Sequence, residues 1–293
     1  MSPADRVPDS TPLIVTVGDL ITDVVVDLAA QFRLGTDTAA SIVRRRGGSA
    51  ANVAAAAVAA GGRARFVGNV GSDDAGDELL AGLAAVGVET SCTRNGTSGT
   101  VVAVVDPGGE RSLLTDRGAS GDLAAVPSGA MVGCDVVHVP LYALGAEPLA
   151  TTVASMLRNA HAAGALTSVD ASSVPVVESV GPEALLAWCR DARVDVLFCN
   201  EDEAEAIGHD LLLDHGPPVV IEKRGAAPAM LIVDGEVGHV AAEVVEDVVD
   251  TTGAGDAFAA GVLVARAASA DWPEAVAAGH RLAAQAVTRL GAL

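Results

Sequence analysis

The chain has 293 residues, with 18 Lys and Arg against 38 Asp and Glu and a formal net charge of −20. So acidic a chain repels a phosphate backbone, which argues against nucleic-acid binding, and a chain of this length buries a core without disulfide or metal staples. Hydrophobic residues make up 50% of it, yet no apolar run reaches the roughly 18 residues that a membrane-spanning helix needs.

In chain order, the polar, Pro-rich residues 1–12 read as a disordered leader with no secretory signal. Leu13–Gly18 and Asp23–Leu28 read as strands, and 29–46 as irregular. Gly47–Gly62 is a helix of small residues between glycine pairs, Arg63–Gly71 a strand, and Ser72–Val88 a helix with acids in its first turn. Thr100–Thr115 has the form of a hairpin around Asp106-Pro107-Gly108-Gly109. From Asp135 onward strands and helices alternate: strands at 135–139, 166–170, 194–200 and 218–223, and helices at 147–163, 182–191 and 201–207. A hairpin around Asp234-Gly235 and two closing helices, 254–269 and 273–290, complete the chain. This alternation predicts an α/β fold, a mostly parallel sheet with helices on both faces. The β-rich segments near 20–45 and 92–117 interrupt it and are expected to pair as a small separate sheet. The four cysteines form no CxxC pair and no short Cys/His cluster, which argues against a zinc knuckle or a disulfide framework. A reducing compartment, the cytoplasm, follows as the expectation.

Four segments carry candidate chemistry. In Asp250-Thr251-Thr252-Gly253-Ala254-Gly255-Asp256-Ala257-Phe258, two glycines precede a helical run. A helix start presents free N–H groups and the positive end of the dipole, an anion site, and Asp256 in that first turn is placed to accept a proton from a hydroxyl. The same residues equally make a plain turn with Asp256 as a helix cap. Neither a Walker A loop nor a third dinucleotide-fingerprint glycine is present. In Gly47-Gly48-Ser49-Ala50-Ala51-Asn52 a diglycine permits close approach of a small polar ligand, with Asn52 as donor and acceptor, or simply turns the chain into an Ala helix. Asp19 and Asp23 follow the first strand, where parallel sheets bind ligands, though acids are common in this chain. Asn200-Glu201-Asp202-Glu203 suits either Mg²⁺ or a capping box, and the two are compatible. Lys223-Arg224-Gly225 is a rare basic spot at a strand end, facing a phosphate or forming a surface turn.

In this order the segments resemble the ribokinase-like, phosphofructokinase-B-type carbohydrate kinases. The resemblance runs from Leu13 to Leu293, and its most specific part is DTTGAGDAFAAG (Asp250–Gly261). GGSAANVAAAAVAAGG matches the N-terminal signature, and NEDEA (Asn200–Ala204) the NxxE motif. It implies a Rossmann-like three-layer core with a β-sheet lid, and ATP-dependent phosphorylation of a hydroxyl on a small sugar. Asp256 would be the general base, and the amides of Gly253, Ala254 and Gly255 the anion hole. Asp23, Gly48 and Asn52 would hold the acceptor. Asn200 and Glu203 would organise Mg²⁺ and the phosphates, while Lys223 and Gly225 would line the nucleotide side, with His280 near the adenosine. Asp250 and Thr252 match part of a monovalent-cation site whose later loop residues have no match. Arg111 and Arg117 lie in or beside the lid, and Phe32 is its one aromatic. A nucleoside wants ring stacking, so the sugar is preferred. The alternatives are a nucleoside kinase of the family or a catalytically weak sugar-binding or regulatory homologue. A homodimer through the lid is the expected assembly, with no nucleic-acid or membrane partner.

Overall fold

The computed structural model describes residues 11–145, 147–289 and 291–292; the expected leader lies, except for residues 11 and 12, outside the described residues. Strand β1 (Leu13–Val17) is buried at all five positions, as a strand covered on both faces must be. It pairs in parallel with β4 (Arg63–Val70) on one side and with β8 (Val136–Pro140) on the other. Beyond β4 lies β5 (Glu89–Arg94). Beyond β8 follow β9 (Leu166–Asp170), β10 (Val196–Asn200) and β11 (Val219–Lys223), all parallel. The antiparallel pair β12 (Ala229–Val233) and β13 (Glu236–Val240) closes that edge, giving the order β13-β12-β11-β10-β9-β8-β1-β4-β5.

Among the described residues, α1 (Ser49–Ala59), α2 (Asp74–Ala85), α8 (Ala254–Ala267) and α9 (Trp272–Ala286) pack one face of the sheet around Phe66, Phe198 and Phe258. The other face is covered by α3 (Leu149–Ala162), α4 (Val174–Val180), α5 (Pro182–Ala192), α6 (Glu201–Ile207) and α7 (His209–His215), around Val139, Leu157 and Leu186. The helices α4 and α7 were not anticipated. Each has only seven residues, too short for its apolar spacing to stand out.

A second sheet of four strands sits apart, in the order β3-β2-β6-β7: β3 (Ala40–Gly47), β2 (Ile21–Leu28), β6 (Ser98–Val105) and β7 (Arg111–Gly118). Two expectations change here. Residues 40–46, read as irregular, and Gly47, read as the start of the helix, are β3: its run of arginines hides the strand signal, and the pairing with β2 supplies it. Residues 92–94, assigned to the lid, belong with β5 to the large sheet. Its first residue, Glu89, takes Arg63 and Arg65 of β4 in ion pairs at 2.6 Å each. The chain moves outward from β1 to β4 and β5, then returns to β8 on the opposite side of β1. Connections therefore reverse between β1 and β8, and open α/β sheets bind ligands beyond the strand ends at such a point.

Candidate active site

At that reversal β1 runs into Gly18 and Asp19, and β8 into Pro140 and a 3₁₀ turn carrying Tyr142. These residues and Ser49 line a narrow crease too tight to admit a water molecule. Arg117, from the lid strand β7, reaches across and ion-pairs with the buried Asp19. Its guanidinium also lies over the Tyr142 ring, 4.4 Å from the centroid. Tyr142 donates its hydroxyl to the Ser172 carbonyl at 3.1 Å. The lid is thus tied to the core at the strand reversal.

The diglycine that links β3 to α1 is set by close approach. A Cβ on Gly47 would stand 2.3 Å from the Asp23 carboxylate, so that carboxylate lies directly over Gly47. Burial raises the Asp23 pKa, against the field of Arg111. Gly48 has φ +99° and a Cβ there would come within 2.2 Å of the Asp19 carbonyl, so only glycine turns this corner. Helix α1 then carries Ser49 and Asn52 three residues apart, on one face. Ser49 donates through Oγ to Asp256 Oδ1 at 2.6 Å, and Asn52 through Nδ2 to Asp256 Oδ2 at 2.9 Å. The Oδ1 of Asn52 is buried without a partner.

Asp256 sits in the first turn of α8, whose N-cap Gly253 is left-handed at φ +77°. A Cβ on Gly253 would stand 2.6 Å from that of Ala292. The Ala254 N–H bonds to the Thr251 carbonyl at 3.1 Å and the Ala257 N–H to the Gly253 carbonyl at 2.8 Å. Among the described residues no acceptor meets the N–H groups of Gly255 and Asp256. The expected trio of anion-holding amides therefore has one member, Ala254, already engaged within the protein. Burial pushes the Asp256 carboxyl up to about 6, while the donors Ser49 and Asn52 pull against that rise. A carboxylate held near neutrality beside free amides is equipped to take a proton while the amides meet developing negative charge.

On the next strands lies a cluster of opposite charges. Lys223, ending β11, places Nζ 2.5 Å from Oδ2 of the buried Asp170, which ends β9. A Cβ on Gly255 would lie 3.4 Å from the same Nζ, so the ammonium adjoins the Gly-Ala-Gly bend. Burial opposes the lysine's charge, but the carboxylates of Asp170, Glu203 and Asp256 outweigh it and raise its pKa. Asn200 and Glu203 form a full capping box at the start of α6: Asn200 N–H donates to Glu203 Oε2 at 2.9 Å, and Glu203 N–H to Asn200 Oδ1 at 2.8 Å. Glu203 is buried, and that burial together with the field of Asp170 raises its pKa. A Cβ on Gly225 would have nothing within 4 Å, so the space beside it is open. His280 is buried edge-on against Phe258, ring centroids 5.0 Å apart, with Nε2 3.2 Å from the Val240 carbonyl.

The unengaged amides and the adjoining ammonium suit a polyanion such as a nucleotide triphosphate. No group of three or more Asp, Glu, His or Cys side chains able to hold a metal occurs among the described residues. Mg²⁺ is usually held by one or two carboxylates together with phosphate oxygens and water; Glu203 is a carboxylate of this cluster, with Oε2 accepting from Asn200 N–H at 2.9 Å and Oε1 from Asn200 Nδ2 at 3.0 Å, so it would meet a metal through water. The monovalent-cation expectation at Asp250 fits less well. Its Oδ1 accepts from Thr252 N–H at 2.9 Å, and its Oδ2 accepts from Gly291 N–H at 2.9 Å and from Arg45 Nη1 at 3.4 Å. Burial would raise this carboxyl, but those donors hold it down at about 2.

The structure brings Asn52, Asp256, Gly253, Gly255 and Lys223 into one region, with Gly48 and Asp23 at its lid side. Asp170, Ser49, Tyr142 and Arg45 were missed. Ser49 had a readable signal, one turn before Asn52, and Asp170 closes a strand as Asn200 and Lys223 do. Tyr142 and Arg45 had none, because their roles come from partners far away in sequence.

Comparisons with known proteins agree with this fold. A family model described as pfkB family carbohydrate kinase matches residues 11–293. A fructokinase of Salmonella typhimurium is 30% identical over 226 residues, covering 71% of this chain and 73% of its own. An adenosine kinase of Schizophyllum commune is 29% identical over 258 residues, covering 77% and 74%. The crystal structure of adenosine kinase from Sinorhizobium meliloti superposes with a TM-score of 0.84 at 25% identity, over 96% of this chain and 95% of that one. Fold and likeness thus converge: the chain belongs to the pfkB family of carbohydrate kinases.

Proposed function

We propose that the protein phosphorylates a hydroxyl of a small sugar, with ATP as donor and Asp256 as the general base. The observation that carries this reading is the Asp256 carboxylate, clamped by Ser49 and Asn52 beside the unengaged amides of Gly255 and Asp256. Ser49 and Asn52 hold the carboxylate in one orientation, so a hydroxyl brought to it loses its proton without a search for geometry. Asp23, lying over Gly47, and Gly48 grip the acceptor's other hydroxyls. Gly253 makes the left-handed turn that aims the amides, and Lys223 adds a fixed positive charge at the bend, itself steadied by Asp170. On the nucleotide side Asn200 and Glu203 face the phosphates, Gly225 leaves room for the nucleotide, and His280 with Phe258 backs the adenosine end. Mg²⁺, when bound near Glu203, would offset phosphate charge. Catalysis is then positioning and electrostatics, as phosphoryl transfer requires. The lid excludes water from the transferring group.

A nucleoside acceptor is the second reading, and one observation favours it: the Tyr142 ring, with Arg117 stacked upon it, stands at the strand reversal close to Asp19 and Ser49. That pair offers the flat surface the lid lacks. The test is ADP release with Mg²⁺ and ATP across a panel of sugars and nucleosides. Turnover of a sugar supports the first reading and turnover of nucleosides alone the second. An enzyme that ignores both, or turns over only with a nicotinamide cofactor, overturns the kinase.

A further inference from the structure

Asp250 opens the bend that ends in Gly253 and Asp256, and three donors converge on it from three parts of the chain. The N–H of Thr252 meets Oδ1, and the N–H of Gly291 meets Oδ2, each at 2.9 Å. The third donor is a full positive charge. Arg45 Nη1 lies 3.4 Å from Oδ2, and Arg45 comes from β3, two residues before the diglycine. The contact joins residues 205 apart in sequence. The guanidinium also packs against Gly291: at φ +83° a Cβ there would stand 2.8 Å from Arg45 Nη1 and 3.3 Å from Cδ. The glycine thus leaves the space that the arginine fills.

A dissolved monovalent cation at Asp250 would need carboxylate lone pairs facing an open cavity and no fixed cation nearby. Here Oδ2 already takes two donors, and an entering ion would meet the guanidinium in a weakly screened setting. Arginine stays protonated and offers a rigid fork of donors, so it supplies a permanent charge that no concentration change removes. It also rides on the lid strand that leads into Ser49 and Asn52.

We propose that Arg45 is the built-in cation of the phosphoryl-holding bend, standing where a monovalent ion would otherwise balance Asp250 and coupling the lid strand to the bend. Arg45 is a positioning residue: it acts on Asp250, and through it on the Gly253 turn. The proposal rests on the kinase reading of that bend for its activity arm and is independent of it for its stability arm.

The test compares wild type, Arg45→Ala and Arg45→Lys in choline, sodium, potassium and guanidinium chlorides at one ionic strength. ADP release and melting temperature are read in each. Wild type is expected to give the same kcat and the same melting temperature in choline, sodium and potassium. Arg45→Ala is expected to lose about tenfold in kcat in choline, with potassium or low guanidinium restoring part of it and raising its melting temperature. Arg45→Lys is expected to keep most of the activity with no added ion. Selective activation or stabilisation of wild type by potassium overturns the proposal. So does an Arg45→Ala enzyme unchanged in choline, or one whose loss no ion repairs. Should Arg45→Ala not fold, the wild-type salt series and Arg45→Lys decide the matter. If no acceptor gives ADP release even in wild type, the kinase reading fails separately, and the melting temperatures still judge the cation.

Discussion

At the residue scale the proposed chemistry rests on Asp256. Its carboxyl is held near 6 by burial, with two side-chain donors opposing that rise. Replacing it with Asn keeps the shape and removes the proton acceptor, so Asp256→Asn should lower kcat by about 10²- to 10⁴-fold. Binding of ATP, followed by calorimetry, should persist. A near-normal kcat would remove Asp256 from the base role. The ionised form is the working one, so kcat/KM in wild type should fall as pH drops through about 6, roughly tenfold per pH unit; a rate flat down to pH 4 would contradict it. Gly47→Ala tests the acceptor side. Its Cβ would displace the Asp23 carboxylate, which lies 2.3 Å from the built position. Displacing a gripping group by about 1 Å costs on the order of 10²-fold in kcat/KM for the acceptor, while the KM for ATP should hold. An equal rise in both KM values would show that Asp23 does not grip the acceptor.

Elements set the aim of these residues. Helix α1 offers Ser49 and Asn52 from one face, and α8 offers Asp256 and its amides from its first turn, so the proposed catalysis depends on how two helix N-termini meet. The left-handed Gly253 fixes the second of these. Gly253→Ala forces an L-residue to φ +77° and drives its Cβ to 2.6 Å from Ala292. The strain alone is about 1–3 kcal/mol, and urea unfolding should show a loss of at least that size; an unchanged midpoint would mean that the bend relaxes freely. The lid strand β7 makes its own contribution through Arg117, which joins Asp19 and Tyr142. Arg117→Ala should raise the KM for the acceptor and increase ATP hydrolysis in its absence, measured as ADP released without product; unchanged leakage would argue against a closing role.

Across the whole molecule, the strand reversal between β1 and β8 decides where everything converges. Beneath it the sheet interior holds a buried histidine among other buried polar side chains. His138 on β8 is fully buried, bonds Ser168 Oγ through Nδ1 at 2.7 Å, and leaves Nε2 without a partner. Burial lowers its pKa to about 4. The unfolded chain, with an ordinary histidine near 6.5, therefore binds its proton more readily than the folded one. Stability is full above pH 6.5 and falls as pH drops towards 4, by about 3 kcal/mol from this group. Asp256, whose carboxyl burial raises to about 6, stabilises the folded chain as pH falls over the same range, so the histidine's share is read as the difference between the wild-type and His138→Asn melting curves from pH 7 to 4. His138→Asn can keep the Ser168 bond; it should melt lower at neutral pH and lose part of the pH dependence. An identical slope in the variant would place the acid sensitivity elsewhere.

The parallel core was legible because its strands are short apolar runs, each followed by a helix with its own start signals: the capping box at Asn200–Glu203 and acids at the start of α2. Glycine and aspartate at a helix start make a plain turn and cap just as readily, so the bend at 250–258 and the diglycine at 47–48 were legible through their likeness, in order, to the family's signatures. The strand β3 was not, since arginines mask its pattern until β2 pairs with it. By itself the sequence determined the local conformations and the inventory of reactive groups, which depend on neighbours a few residues away. Only the tertiary structure decided the partners: Ser49 with Asp256, 207 residues distant, Arg117 with Asp19, Lys223 with Asp170, and Arg45 with Asp250. Such pairs form because buried strands and helix ends carry the groups into one desolvated region, and no local pattern encodes that meeting.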